Sequence, residues 1–309
     1  MKSLHELPRF QDRWSHLYLE RGILDQESHG LVLHGVDSHT SIPIDQLSLL
    51  MLGPGISISH AAMHKLADNN CLVAWVGENG IRLYAHSTGG TFSSRRLLQQ
   101  AKLATNDETR LQVAYRMYQK RFPDSPLANK SIEQVRGMEG IRVRQVYQEM
   151  SKKFNIAWDG RSYDQGDWFS ASDVNRALSA ANACLYGVCH AALVSAGYSA
   201  GLGFIHTGKM LSFVYDVADL YKTDTTIPLA FELAAQGPKE LERRVRTQCR
   251  DVFYQARLMQ RILPDIAEVL GAPDNLGESP DEMEGRAVTL APGDPPRDVP
   301  GQSESESAG

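Results

Sequence analysis

The segment from Ser172 to about Ala196 restricts the fold more than any other part of the sequence. It is rich in alanine, and nearly all of its residues are apolar. A helix that is apolar on every side is buried, because none of its faces suits water. The segment therefore predicts a helix at the centre of a bundle, with other helices packed around it.

Helical spacing of apolar residues continues on both sides of this segment, from Arg95 to Leu270. Residues 131–154 form one such run. Later breaks are expected at Pro228 and at the Gly237–Pro238 pair, because proline interrupts a helix interior. Residues 95–271 are therefore predicted to form an all-α helical-bundle domain.

Residues 1–86 differ, because short apolar or β-branched runs alternate there with glycines, as strands joined by tight turns require. One short helix, from Ser59 to about Ala67, is expected to interrupt the strands, with Ser59 as its cap. The predicted fold class is α+β, with a small N-terminal β-domain followed by a larger helical domain. A polar linker, residues 87–94, separates the two.

Residues 272–309 carry nine acidic and two basic side chains, a balance of −7, whereas the whole chain has −5. The rest of the chain holds 30 bases and 28 acids, a balance of +2. The tail also contains six of the 14 prolines, so it is predicted to be disordered. Clusters of basic residues, rather than the total charge, decide whether such a chain binds nucleic acid.

The four cysteines fit no zinc-binding pattern and lie mostly in apolar runs, so they are predicted to be buried and reduced. The sequence suggests no stretch with the roughly 20 apolar residues that span a bilayer. The N-terminus lacks the apolar region of a signal peptide. We therefore expect a cytoplasmic protein.

The segment Arg136-Gly-Met-Glu-Gly-Ile-Arg-Val-Arg144 lies inside a predicted helix. Gly137 and Gly140 each cost about 1 kcal/mol there relative to alanine. A close approach of another backbone or of a ligand is expected to offset that cost. Glu139, between the two glycines, belongs either to a functional site or to an ordinary salt-bridged helix face.

A second unusual segment runs from Gly201 to Lys222. Its G-x-x-x-x-G-K pattern is followed by Met210, where a phosphate-binding loop needs a hydroxyl, so nucleotide binding is not expected. Asp216 and Asp219 are three residues apart on a helix predicted to begin near Ser212. Their charges repel each other unless a cation or basic groups lie nearby.

His206 lies in the turn before that helix. Glutamate, aspartate and histidine together form a ligand set that suits Mg²⁺ or Mn²⁺. A hydrogen-bonded turn histidine and solvated aspartates are the alternatives. Spacing along the chain does not by itself bring Glu139 close to the other two.

Basic residues recur at helical spacing in a third segment, at Arg243, Arg246, Arg250 and Arg257. Such a stripe is either a track for DNA phosphates or an ordinary charged helix surface.

Three motifs in this order resemble one known family: R-G-M-E-G-I-R-V-R (136–144), G-F-I-H-T-G-K (203–209) and S-F-V-Y-D-V-A-D (212–219). They are similar to the CRISPR-associated integrase known as Cas protein one, subtype I-E, and the similarity runs from about residue 13 to residue 270. The resemblance implies an N-terminal β-domain and a helical domain. It also implies Glu139, His206 and Asp219 as metal ligands, with Asp216 as a supporting acid.

The activity implied is that of a metal-dependent DNA endonuclease and integrase, which inserts captured spacer DNA into the repeat array by transesterification from a 3′-OH. The implied partners are double-stranded DNA with 3′ ends, repeat DNA, a second copy of the chain and a dimer of Cas protein two, with no membrane. Residues implied to contact DNA are Arg82, Arg136, Tyr163, Lys209, Lys222, Arg243 and Arg246, to which the basic stripe adds Arg250.

Two positions depart from a well-known family member: Arg21 replaces a tyrosine and Ser57 an arginine. Two other functions remain open. One is a nuclease that cuts branched DNA in repair, and the other is a non-catalytic DNA scaffold whose acidic residues only balance arginines. The first is distinguished by its inability to join strands, and the second by the absence of any metal-dependent reaction.

Overall fold

Strands occupy the first part of the chain and helices the second, which confirms the predicted α+β class. The computed structural model describes residues 13, 15–27, 30–69, 71–78, 83–87, 94–123, 127, 130–161 and 171–271. Arg82, Tyr163, most of the predicted linker and the tail 272–309 lie outside these residues. The described residues belong to one compact unit, Met1–Leu276, and the division into two domains stays a prediction.

The helices of the described residues are α1 (His60–Asp68), α2 (Arg95–Thr105), α3 (Asp107–Arg121), α4 (Ile132–Phe154), α5 (Asp173–Ser195), α6 (Ser212–Ala218), α7 (Thr226–Ala235), α8 (Leu241–Gln255) and α9 (Leu258–Leu270). Helix α5 packs against α6, α7, α8 and α9. Because 15 of its 23 residues are buried, the prediction of a central bundle helix is confirmed.

Helix α5 also corrects an expectation about membranes. It is long and apolar enough to cross a bilayer, although the sequence suggested that no stretch was. Its most apolar window is 78% buried inside the protein. Packing against the other helices therefore accounts for the apolar surface of α5.

Serine caps define the beginnings of three predicted helices. The side chains of Ser59, Ser131 and Ser172 accept the backbone N–H three residues further on, at 3.1, 3.3 and 3.4 Å. The Gly237–Pro238 pair separates α7 from α8 as predicted, but the predicted break at Pro228 is wrong. Pro228 lies in the first turn of α7, where a backbone N–H has no partner within the helix.

The strands of the described residues are β1 (Leu17–Leu19), β2 (Gly22–Glu27), β3 (Gly30–His34), β4 (His39–Ile42), β5 (Leu49–Leu52), β6 (Ile56–Ile58), β7 (Leu72–Val76) and β8 (Leu83–His86). They form two sheets, with strand orders β1-β5-β7-β8 and β4-β3-β2-β6. Tight turns were expected to join the strands, whereas β1–β5, β5–β7 and β2–β6 are parallel pairs of strands that are not consecutive in the chain.

Strand β5 was not predicted from the sequence. It lies between β1 and β7, and all four of its residues are buried. Leu49 and Met51 share a buried cluster with Ala191 of α5, so the first sheet packs on the central helix. This contact joins the β-sheet region to the bundle that carries the predicted site.

All four cysteines are buried and free, which confirms the prediction of reduced core thiols. Cys184 of α5 and Cys249 of α8 lie in the same core cluster, where the two helices pack.

Candidate metal centre and nucleic-acid interface

Asp216 is fully buried in α6 and receives four hydrogen bonds. Its carboxylate accepts the backbone N–H groups of Phe204, Ile205 and His206 at 2.6, 3.0 and 2.8 Å. It also lies 2.7 Å from Nδ1 of the His206 ring. Because an ionised carboxylate only accepts hydrogen bonds, the shared proton is carried by Nδ1. The loop before α6 is therefore folded around one buried negative charge.

Gly203 makes this tight loop feasible. A Cβ atom at this position would lie 2.2 Å from the carbonyl oxygen of His206 and 2.8 Å from Cβ of Ser212. Only glycine leaves room for such a close approach. The Ser212 hydroxyl, at the beginning of α6, lies 3.0 Å from the backbone nitrogen of Lys209 and donates to its carbonyl at 2.8 Å.

His206 offers its Nε2 atom to a ligand, because Nδ1 is engaged by Asp216. The hydrogen bond to Asp216 raises the pKa of His206, and burial opposes that shift. The ring is 40% exposed, so Nε2 remains accessible. A carboxylate that fixes the other ring nitrogen is the usual support for a metal-binding histidine.

Asp219 follows the last residue of α6 and faces two cations. Its Oδ1 lies 2.6 Å from Nζ of Lys222, and its Oδ2 lies 3.8 Å from Nη1 of Arg121. Burial alone lowers the pKa of an ammonium group, but the Asp219 charge and the Tyr186 hydroxyl outweigh it, so the pKa of Lys222 is raised. Lys222 therefore stays positively charged beside Asp219.

Glu139, which lies on α4, pairs with the same guanidinium of Arg121. Arg121 is the last residue of α3, and its Nη2 forms an ion pair with Glu139. The side chains of Arg121, Glu139 and Asp219 are only 8%, 19% and 14% exposed. The guanidinium lies over the rings of Tyr118 and Phe122, at 5.8 and 5.4 Å from their centroids. Two carboxylates that are distant in sequence thus converge on one nearly buried cation.

The structure therefore brings the predicted acidic residues together through Arg121. His206 is linked to this group through Asp216, which holds its ring and lies three residues before Asp219 at the end of α6. Sequence reasoning missed Arg121, since no local pattern links the end of α3 to Glu139. The only available signal was general, namely that neighbouring carboxylates need a positive charge nearby.

The predicted ligands are not gathered closely enough to surround an ion as they stand. Among the described residues, the group whose ligand atoms all lie within 4.8 Å of one another is instead Glu27, His34 and His39. At the predicted centre, Arg121 supplies the positive charge, and its buried Nη1 has no hydrogen-bond partner within the described part of the chain. Two carboxylates and a free imidazole nitrogen still form a donor set that suits Mg²⁺ or Mn²⁺, provided that Arg121 withdraws.

The two glycines that flank Glu139 do not face another backbone. Nothing lies within 4 Å of a Cβ built at Gly137, and at Gly140 only the Arg144 side chain comes as close as 4.0 Å. The prediction that another backbone approaches these glycines closely is therefore wrong for the described residues. The exposed surface beside the glycines remains open to a ligand.

Three arginines of α8 line a cavity of about 390 Å³ against β1, together with Tyr18. They are Arg243, Arg246 and Arg250. The Arg246 guanidinium lies 4.4 Å from the centroid of the Tyr18 ring. The predicted continuation to Arg257 is wrong, because α8 ends at Gln255 and Arg257 has a left-handed backbone with φ of 50°.

Residues 18–125 and 119–250 match the family model described as CRISPR associated protein Cas1. The chain belongs to the Cas1 family. A relative from Thermus thermophilus, named CRISPR-associated endonuclease Cas1 2, is 45% identical over 276 residues, which cover 88% of this chain and 85% of the relative.

Two solved structures support the Cas1 fold. The crystal structure of TtCas1 is 44% identical with a TM-score of 0.75, and the match covers 82% of this chain and 96% of that one. The crystal structure of a TtCas1–DNA complex is 45% identical with a TM-score of 0.64, and the match covers 85% and 99% of the two chains.

The remaining positions implied by the Cas1 resemblance have different surroundings. Arg136 is exposed on α4, and Lys209 is exposed in the loop before α6. Arg243 is exposed and lies 3.3 Å from Glu240. Lys222 forms an ion pair with Asp219 at 2.6 Å. Arg82 and Tyr163 lie outside the described residues.

Proposed function

We propose that this Cas1-family chain is a metal-dependent DNA integrase and endonuclease of CRISPR adaptation, working in the cytoplasm. In the proposed reaction, a 3′-hydroxyl of the captured DNA attacks a phosphodiester at the edge of a repeat. A new ester bond forms as the repeat strand leaves with its own hydroxyl, so no energy source is needed. With water as the nucleophile, the same site hydrolyses DNA.

One observation carries the proposal. Glu139 and Asp219, from different helices, converge on one nearly buried guanidinium, and the buried aspartate three residues before Asp219 orients the ring of His206. Holding two carboxylates together in a site of low exposure costs free energy, and folded proteins accept that cost chiefly where the groups bind something. The endonuclease name of the Thermus relative and the DNA in one related structure agree with this function.

Glu139, Asp219 and Nε2 of His206 are the groups proposed to hold Mg²⁺ or Mn²⁺, and the imidazole favours Mn²⁺. When bound, the ion supplies Lewis-acid activation at the phosphoryl oxygen and at the attacking hydroxyl. Asp216 keeps the proton on Nδ1 and so keeps Nε2 directed at the site. Arg121 neutralises the carboxylates until the ion enters, and Lys222 remains beside Asp219.

DNA is proposed to bind along the basic surface of α8. Arg243, Arg246 and Arg250 contact phosphates, and Tyr18 supports Arg246 from the β1 side. Arg136 and Lys209 are exposed close to the proposed ligands Glu139 and His206 in sequence, so we assign them to the ends of the captured strands. By resemblance, Tyr163 also belongs to the ends of the captured strands, and Arg82 is a DNA-contacting basic residue of the β-domain.

The proposed assembly contains a homodimer of this chain and a dimer of Cas protein two. The DNA partners are a spacer precursor, which is double-stranded with 3′ ends, and the repeat DNA. Subtype I-E belongs to the same proposal and rests on the three motifs. No membrane takes part.

The test is a strand-transfer assay with the purified chain, Cas protein two, Mn²⁺, a 3′-OH duplex and repeat DNA. Wild type is expected to join the strands, and chelation with EDTA is expected to stop the reaction. Glu139→Gln is expected to lower joining by at least a hundredfold while DNA affinity stays within threefold. Glu149→Gln, exposed on the same helix α4, is the matched control and is expected to behave as wild type.

Joining by Glu139→Gln at the wild-type rate would rule out the assigned site. Cleavage of branched DNA without any joining would favour the repair nuclease. DNA binding without any Mn²⁺-dependent reaction would favour the scaffold.

A further inference from the structure

We propose that Glu27, His34 and His39 form a second cation site, which binds a transition metal such as Zn²⁺ on the sheet β4-β3-β2. This site is independent of the proposed catalytic centre and of the residues that form it. Its ligands are two imidazoles and one carboxylate, contributed by three adjacent strands.

The strand register places the three side chains on one face. His34 and His39 are directly opposite each other across the β3–β4 pair. His34 is also opposite Ile23 across the β2–β3 pair. Glu27 lies four residues after Ile23 on β2, and alternate residues of a strand share a face. Glu27 therefore projects from the same face as both histidines.

This face is turned away from the apolar core of the sheet. Leu24 and Leu31, whose side chains alternate to the other face, are completely buried in that core. His34 is half-buried, whereas Glu27 and His39 are exposed. A metal ion can therefore reach the cluster without opening the fold.

The separations within the cluster are close to those of a coordinated ion. Nδ1 of His34 lies 3.0 Å from Nδ1 of His39, and Nε2 of His34 lies 3.3 Å from Oε1 of Glu27. Two nitrogens that bind one tetrahedral zinc at its usual bond length lie about 3.4 Å apart. Ligand atoms of all three residues already lie within 4.8 Å of one another. The two contacts engage different nitrogens of His34, so one ion is bound by all three residues only after the side chain of His34 or Glu27 rotates.

The donor set decides which metal is favoured. Imidazole nitrogen suits Zn²⁺, Ni²⁺ and Cu²⁺, whereas Mg²⁺ prefers oxygen ligands and keeps several waters. Two histidines and one glutamate form a known three-ligand zinc set that leaves a fourth position for water. Asp25 lies on the same face and adds negative charge, while its own carboxylate accepts the Ser59 hydroxyl at 2.5 Å.

An ion bound here joins three strands and should stabilise the sheet. The turn between His34 and His39 is closed by a hydrogen bond from Gly35 N–H to the Ser38 carbonyl at 2.8 Å. Because the turn already holds the two histidines opposite each other, binding requires little additional ordering. A ligand that binds only the folded state raises the unfolding temperature.

The test uses the full chain, stripped of metal with EDTA and dialysed, and titrated with ZnCl₂ by calorimetry. Wild type is expected to bind Zn²⁺ with micromolar affinity or tighter, and His39→Asn is expected to weaken this binding at least tenfold. His64→Asn is the matched control, because His64 is exposed on α1, where it pairs with Asp68 at 3.4 Å. It is expected to bind Zn²⁺ as wild type does, and circular dichroism verifies that each variant is folded.

His206→Asn separates this site from the proposed catalytic centre. The inference requires that His206→Asn keep the Zn²⁺ affinity and thermal stabilisation of wild type, and that His39→Asn bind Zn²⁺ at least tenfold more weakly with a smaller stabilisation. Unchanged Zn²⁺ binding in His39→Asn, or no binding by wild type, would overturn it. If His206→Asn lost Zn²⁺ binding and His39→Asn kept it, this inference would also be overturned. That result would not contradict the proposed function.

Discussion

Arg121 and Glu139 form an ion pair between the end of α3 and the middle of α4, and the same guanidinium lies 3.8 Å from Asp219. It supplies the positive charge at the place where the proposed function requires a divalent ion. A guanidinium and a divalent ion repel each other, so both cannot occupy the space between the two carboxylates. The ion pair and the metal are therefore expected to compete.

Arg121→Met tests this competition. Removing one partner of a nearly buried ion pair leaves carboxylates without compensation, so the metal-free variant should lose about 2–4 kcal/mol of unfolding free energy. Mn²⁺ affinity, measured by calorimetry, should rise at least tenfold because the ion no longer displaces a guanidinium. Arg116→Met, exposed on the same helix, is the control and should change neither quantity. Weaker Mn²⁺ binding by Arg121→Met would show that the guanidinium supports the metal instead.

Asp216→Asn is expected to disrupt the loop that carries His206. An amide NH₂ replaces one carboxylate oxygen and then faces N–H donors of the loop, within a completely buried site. Hydrogen bonds to a charged acceptor are worth about 1.5–3 kcal/mol each, so the unfolding free energy should fall by several kcal/mol. Urea unfolding measures this change.

The same variant should bind Mn²⁺ more weakly, because the His206 ring loses its fixed orientation. Asp224→Asn provides the control, since Asp224 is exposed shortly after α6. If Asp216→Asn kept the stability and Mn²⁺ affinity of wild type, the buried carboxylate would have no positioning role.

His190 makes the stability of the fold depend on pH. It is 3% exposed on α5, its Nε2 has no hydrogen-bond partner in the described residues, and its ring lies 4.3 Å from that of His86. Burial, assisted by the neighbouring His86, lowers the pKa of His190 from 6.5 to about 4. The unfolded chain therefore binds a proton near pH 6.5, whereas the folded chain does so only near pH 4.

This contribution is complete above pH 6.5 and is lost as the pH falls towards 4. The loss is on the order of 2–3 kcal/mol. Urea unfolding at several pH values should show that His190→Leu flattens the dependence in this window, while His64→Leu, at an exposed position, leaves it unchanged. If the unfolding free energy of His190→Leu fell with pH as steeply as that of wild type, other titrating groups would be responsible.

Helix ends could be predicted from the sequence because capping is a local interaction. Ser131 and Ser172 bond to backbone groups only three residues away, so the sequence contains both partners of each bond. The beginning of α6 at Ser212 was predicted for the same kind of reason, since helical spacing starts there. The central position of α5 followed from its composition alone.

Long-range pairing could not be predicted in this way. Residues 49–52 read Leu-Leu-Met-Leu, which contains no β-branched residue and no alternation. They form a strand because β1 and β7 lie on either side, and such a strand, covered on both faces, reads as a continuous apolar run. Arg121 was missed for a similar reason, since only the packing of α3 near α4 brings it to Glu139.

Arg246→Gln tests whether the α8 surface binds DNA. Each arginine that contacts a phosphate releases counterions, so its loss should weaken binding and lower the slope of log affinity against log salt by about 1. Fluorescence anisotropy with a labelled duplex at several salt concentrations measures both quantities. The loss should be similar for unrelated DNA sequences, because phosphate contacts carry no base information.

The control for this prediction is Arg116→Gln, which removes one positive charge from the exposed face of α3. Arg116→Gln changes the net charge by the same amount as Arg246→Gln, but Arg116 lies on α3 and Arg246 on α8. If both variants lowered the slope of log affinity against log salt equally, the net charge of the protein would explain the effect. A change confined to Arg246→Gln requires a local contact, and the Tyr18 ring, 4.4 Å from this guanidinium, holds it in the cavity where such a contact would form.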